Sequence, residues 1–89
     1  MKKEVEKFLQ TGEEENAIEF LENCIEEISE DENLLLTLGE LYYRKGRQAD
    51  ALNKFNAVLR LNPNNRKAAN YVSMINGILD YFCKDLLNP

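Results

Sequence analysis

Sixteen carboxylates, eleven Lys/Arg side chains, two thiols and no imidazole are the groups in this chain that could do chemistry. Acid–base work near neutral pH draws first on histidine, and none is present. Cys24 and Cys83 form no metal-ligand spacing, and both read as reduced thiols rather than a disulfide. There is no Gly-rich phosphate loop and no pair of carboxylates in an apolar setting. The glutamates fall on polar helix faces, and Asp50, Asp80 and Asp85 are scattered. No enzyme, no cofactor and no metal site is therefore expected. Arg60, Arg66 and Lys67 cluster near Pro63, but phosphate affinity needs many cationic contacts and the net charge is −5, so no nucleic acid is expected either.

The remaining candidates are surface residues, which depend on the elements that carry them. At 89 residues the chain is one small domain, with 44% hydrophobic and 30% charged residues. No apolar run approaches the roughly 18 residues of a membrane span, and Met1-Lys2-Lys3-Glu4 opens no signal peptide, so a cytoplasmic chain with no membrane partner is expected. Charge is uneven along the chain. Residues 1–32 carry twelve Asp/Glu against three Lys, whereas residues 33–89 carry eight Lys/Arg against four Asp/Glu. An acidic end and a mildly basic end follow, which allows electrostatic steering of a partner or association of one copy's acidic end with another's basic end.

Five helices are predicted. The first covers 2–10, with Val5, Phe8 and Leu9 at helical spacing, and Thr11-Gly12 stops it through a left-handed glycine cap. Glu13 to Glu15 open the second, which continues to about Ile28 on a stripe of Ala17, Ile18, Leu21, Cys24, Ile25 and Ile28. Ser29-x-x-Glu32 reads as a capping box for the third, which runs to about Lys45 and buries Leu34, Leu35, Leu38, Leu41 and Tyr42 before Gly46. The fourth, about Gln48 to Leu61, carries Ala51, Leu52, Phe55, Val58 and Leu59, and Asn62-Pro63-Asn64-Asn65 ends it. The last runs from Arg66 to Leu87 with Ala69, Val72, Ile75, Leu79, Phe82 and Leu86 on one face and Gly77 as its weak point.

A 34-residue echo joins these helices. Gly12 and Gly46 are 34 positions apart, as are Ala17 and Ala51, Phe8 and Tyr42, Leu21 and Phe55, Cys24 and Val58, and Ile25 and Leu59. The same offset relates Leu35, Leu38 and Leu41 to Ala69, Val72 and Ile75. Within the middle of the chain, Leu35, Leu38-Gly39, Tyr42, Ala51, Phe55 and Pro63 stand at the spacings W-x₂-L-G-x₂-Y, A-x₃-F, P, with leucine in place of the tryptophan. This stretch resembles the tetratricopeptide repeat family, whose period is 34 residues. The resemblance implies an all-α, right-handed solenoid of antiparallel helix pairs. It divides the domain into an N-terminally truncated repeat (1–31), a full repeat (32–65) and a half repeat (66–89) whose long last helix caps the array. Gly39 and Ala51 are then the close-approach positions, with Tyr42 and Phe55 beside them.

What the resemblance implies for function is a non-catalytic protein-interaction module. Its concave groove is lined by the first helix of each unit, and its partner is a protein or peptide. The groove positions carried over are Lys2, Glu6 and Leu9, then Asn33, Leu36, Glu40, Tyr43 and Arg44, then Lys67, Asn70, Met74 and Gly77. Leu36, Tyr43 and Met74 stand out, because the repeat pattern does not require them for packing. Members that hold a chaperone's acidic C-terminal tail use two lysines, two asparagines and an arginine. Here Lys2 and Lys67 match, but Glu6 and Thr37 replace the asparagines and Tyr71 the arginine, so chaperone-tail binding is not expected. The alternative reading is a structural unit that self-associates into a homo-oligomer through its open ends.

Overall fold

The structure, a computed structural model, describes residues 2–87, with side chains as far as residue 78. Six helices follow one another among the described residues: α1 (Lys2–Gln10), α2 (Glu14–Asn23), α3 (Ile25–Ile28), α4 (Glu32–Arg44), α5 (Gln48–Leu61) and α6 (Arg66–Leu87). α1 packs on α2, α2 on α4, α4 most extensively on α5, and α5 on α6. The result is an elongated helical array of 47 × 28 × 20 Å.

Two equivalent turns build the helix pairs. Gly46 (φ 77°) closes α4 with its N–H bonded to the Tyr43 carbonyl while Arg47 N–H reaches back to Tyr42. Gly12 (φ 76°) repeats this arrangement after α1, with Gly12 N–H on Leu9 and Glu13 N–H on Phe8. Both are Schellman caps, which require the left-handed backbone that glycine adopts without a Cβ penalty.

The expected second helix is two helices. Cys24 leaves helical geometry at φ −106° and ψ 19°, ending α2 and starting α3. α2 has no basic residue in its last turn, and a continuous helix would carry Glu26 and Glu27 towards its negative end. The break instead places them in the first turn of α3, where the exposed amides favour negative charge, and Ile28 still reaches the core, fully buried.

The expected capping box is also corrected. Ser29 lies in the turn after α3, its hydroxyl donating to the Glu26 carbonyl at 2.9 Å. The N-cap of α4 is Asp31, extended at φ −102° and ψ 100°, whose Oδ1 accepts from Leu34 N–H at 3.1 Å. A carboxylate at the positive helix end makes a charge-assisted bond that a hydroxyl does not. Glu32 turns the other way, accepting from Asn62 Nδ2 at 2.8 Å and from Asn65 Nδ2, which ties α4 to the α5–α6 turn. Asn65 also caps α6, its Oδ1 accepting from Ala68 N–H at 2.9 Å.

The core runs through the array as one cluster including Val5, Ala17, Leu21, Ile28, Leu35, Leu38, Leu41, Tyr42, Ala51, Phe55, Val58 and Ile75. At its centre Gly39 packs on Phe55, and an ideal Cβ there would lie 2.7 Å from the ring. α6 buries a different edge from the one expected. Ala68 and Ile75 are fully buried, Tyr71 and Val72 half-buried, and Ala69 exposed. Leu35, the 34-residue counterpart of Ala69, is buried in the α4–α5 pair, whereas no described helix follows α6 to cover Ala69. Leu79, Phe82, Cys83 and Leu86 lie beyond the described side chains.

Candidate functional site

Of the surface positions singled out, α4 and α6 bring one group together. Glu40 Oε2 accepts from the Tyr71 hydroxyl at 2.9 Å and lies 3.3 Å from Lys67 Nζ. The Tyr71 ring stacks on Phe55, with centroids 4.5 Å apart and planes 4° from parallel, and meets the Tyr43 ring edge-on at 5.2 Å. Glu40, Tyr43 and Lys67 are therefore linked through a residue, Tyr71, that stands outside the repeat spacing. Sequence reasoning weighed Tyr71 only as the replacement for a clamp arginine. The available signal was an aromatic residue one turn after Lys67 on the same helix.

Burial and the Glu40 carboxylate both push the Tyr71 phenol above its ordinary value of 10.0. Tyr42, deeper in the core, is raised further, chiefly by burial and next by its bond to Glu22. In both cases the neutral phenol that donates a hydrogen bond is the favoured form.

The other positions divide by helix. On α4, Leu36 and Tyr43 are half-buried and Asn33 is exposed. On α6, Lys67, Asn70 and Gly77 are exposed, and Met74 keeps 47% of its surface accessible. The amides of Asn33 and Asn70 have no hydrogen bond within the described part of the chain, which leaves donors and acceptors beside apolar surface. A Cβ on Gly77 would meet nothing within 4 Å. On α1, Lys2 and Glu6 are exposed and Leu9 is half-buried, at the 34-residue register of Leu36, Glu40 and Tyr43. Among the described residues, no hydrogen bond, ion pair or ring contact joins them to the α4–α6 group.

Arg44 is turned elsewhere. Its Nη1 donates to Glu14 Oε2 of α2 at 2.6 Å, and Lys45 Nζ stands 3.6 Å from the same carboxylate and 3.7 Å from Glu15. Lys54 of α5 reaches Glu22 of α2 at 3.2 Å. Every ion pair described between helices thus puts the cation on the later helix and the carboxylate on the earlier one, including Lys67 with Glu40. The acidic start of the chain is partly neutralised from within by its basic continuation.

No group of three or more His, Cys, Asp or Glu that could hold a metal occurs among the described residues, and none of their helices is long and apolar enough to cross a membrane. The described side chains of α4 and α6 include aromatic rings, a thioether, free amides and an exposed ammonium. Residues 33–65, covering α4, α5 and the turn after them, match the family model described as tetratricopeptide repeat. No curated protein matches the chain.

Proposed function

We propose that this chain, which carries a tetratricopeptide repeat at residues 33–65, is a non-catalytic adaptor that binds a peptide segment of a partner protein along its concave groove. The repeat is a protein-interaction unit, and the chain is read as two and a half such units. Leu36, Tyr43 and Met74 supply apolar contact; Asn33, Asn70 and Lys67 supply directional polar contact; Lys2, Glu6, Leu9 and Glu40 complete the surface, and Arg44 joins it only on release from Glu14. The single observation that carries this reading is Tyr43. It is only half-buried, yet its ring is held edge-on against Tyr71, which is itself stacked on Phe55 and bonded to Glu40. An aromatic side chain fixed in place but still accessible binds with little further loss of rotamer entropy.

The test is affinity capture from the native source with wild type and a Leu36→Ala, Tyr43→Ala variant, comparing partners by mass spectrometry. Circular dichroism and thermal melting would establish that the variant remains folded. The reading expects a folded variant that loses specific partners; a folded variant that captures the same set contradicts it. Self-association is the second reading, favoured by the charge asymmetry of residues 1–32 against 33–89. Sedimentation at several protein and salt concentrations separates it, since a salt-sensitive dimer supports it and a concentrated monomer dismisses it.

A further inference from the structure

We propose that the outer end of α1 and α2 forms a docking pocket for an arginine side chain carried by a basic segment of a partner protein. An open depression of about 230 Å³ lies there, lined by Phe8, Asn16, Glu19, Phe20 and Asn23. The Phe8 and Phe20 rings are half-buried, 6.0 Å apart and tilted by 57°, which gives the depression an aromatic wall. Glu19 is exposed and has no hydrogen bond or ion pair within the described part of the chain. Aromatic faces beside a free carboxylate and two amides suit a cation that is flat and carries several donors.

One cation–ring contact of this kind occurs 34 residues later in the chain. Tyr42 is the counterpart of Phe8, and the Arg47 guanidinium carbon stands 4.6 Å from the Tyr42 ring centroid. The same guanidinium bonds Asp50, with Nε at 2.9 Å and Nη2 at 2.8 Å. The counterparts of Arg47 and Asp50 are Glu13 and Asn16. The ring is kept at the α1–α2 end, but a carboxylate stands where the internal cation stood. Phe20 in turn replaces Lys54, the residue that reaches back to Glu22 of the earlier helix. Among the described residues no Lys or Arg stands over the Phe8 or Phe20 ring, and the proposed cation is the partner's.

Charge selects that occupant. Between Phe8 and Asn33 the sequence has ten carboxylates and no Lys or Arg. Glu14, Glu22 and Glu32 are engaged by Arg44, Lys54 and the two asparagines, while Glu19, Glu26, Glu27 and Glu30 have no partner within the described part of the chain. The field around the depression attracts a basic segment, and the aromatic wall discriminates a stacking guanidinium from a compact, strongly hydrated ammonium. This surface is separate from the α4–α6 group and does not depend on it.

The test is an NMR titration of the whole chain with the acetylated, amidated peptide Gly-Arg-Gly-Arg-Gly, beside lysine and citrulline versions. The arginine peptide should shift Phe8, Glu19 and Phe20 signals saturably, the lysine peptide less, and the uncharged citrulline peptide not at all. Glu19→Gln should weaken binding about 2- to 5-fold, the scale of one exposed cation contact. Glu27→Gln removes the same charge from α3, outside the lining of the depression, and should weaken binding less than Glu19→Gln. Equal shifts with citrulline, equal losses in the two glutamine variants, or no saturable shift at Phe8 and Phe20 would each overturn the proposal.

Discussion

A Cβ on Gly39 would stand 2.7 Å from Phe55 Cε1 and 2.9 Å from Cδ1. The ring cannot easily yield, because it is fully buried and stacked on Tyr71. Gly39→Ala should therefore destabilise by roughly 1–3 kcal/mol, although alanine is the better helix former. Gly77→Ala is the matched control. Nothing lies within 4 Å of its Cβ, so the helix should gain up to about 1 kcal/mol. Urea denaturation reads both, and a gain at Gly39 would refute the close approach. The two phenols give a pH signature. Tyr42 and Tyr71 are raised above 10.0 in the fold, so the unfolded chain loses those protons first as pH rises. Their stabilising contribution is complete below the ordinary phenol value and is lost as pH climbs through the higher folded-state values. Tyr71→Phe should accordingly show a shallower alkaline loss of stability than wild type; parallel curves between pH 8 and 11 would contradict this.

Helix ends decide how the elements join. Asp31→Ala should cost about 1 kcal/mol in a denaturation experiment, whereas Ser29→Ala should change little, because Ser29 bonds only the preceding turn. The reverse order would restore the capping-box reading. The glycine turns at Gly12 and Gly46 were legible because a left-handed cap restricts residue type strongly. The α4 start was ambiguous because Ser29 and Asp31 are both good cap residues, and only geometry chooses between them. The break at Cys24 was hidden for a similar reason. The apolar stripe continues through it, and periodicity does not report where a run of carboxylates favours a second helix start. On α6 the expected face included Ala69 by helical spacing; its 34-residue counterpart Leu35 is buried. That burial comes from a neighbouring helix, which no local pattern reports. Tyr71 was missed as a link between α4 and α6 because ring stacking across helices leaves no spacing in the sequence.

Across the whole molecule, the helix pairs place Leu36, Tyr43, Lys67, Asn70 and Met74 on α4 and α6, which meet through Tyr43–Tyr71 and Lys67–Glu40. The ion pairs joining α2 to the end of α4, and α4 to α6, keep both partners partly in solvent and should each contribute less than about 1 kcal/mol, so they set order and charge more than stability. The buried apolar cluster holds the array together, and the proposed recognition surface lies on α4 and α6. Site-specific photo-crosslinking in the native source tests that central claim most directly, with benzoylphenylalanine placed once at Met74 and once at Asn56, an exposed position on α5. A discrete partner adduct is expected from position 74 and none from position 56. Adducts from position 56 alone, with position 74 silent, would contradict it.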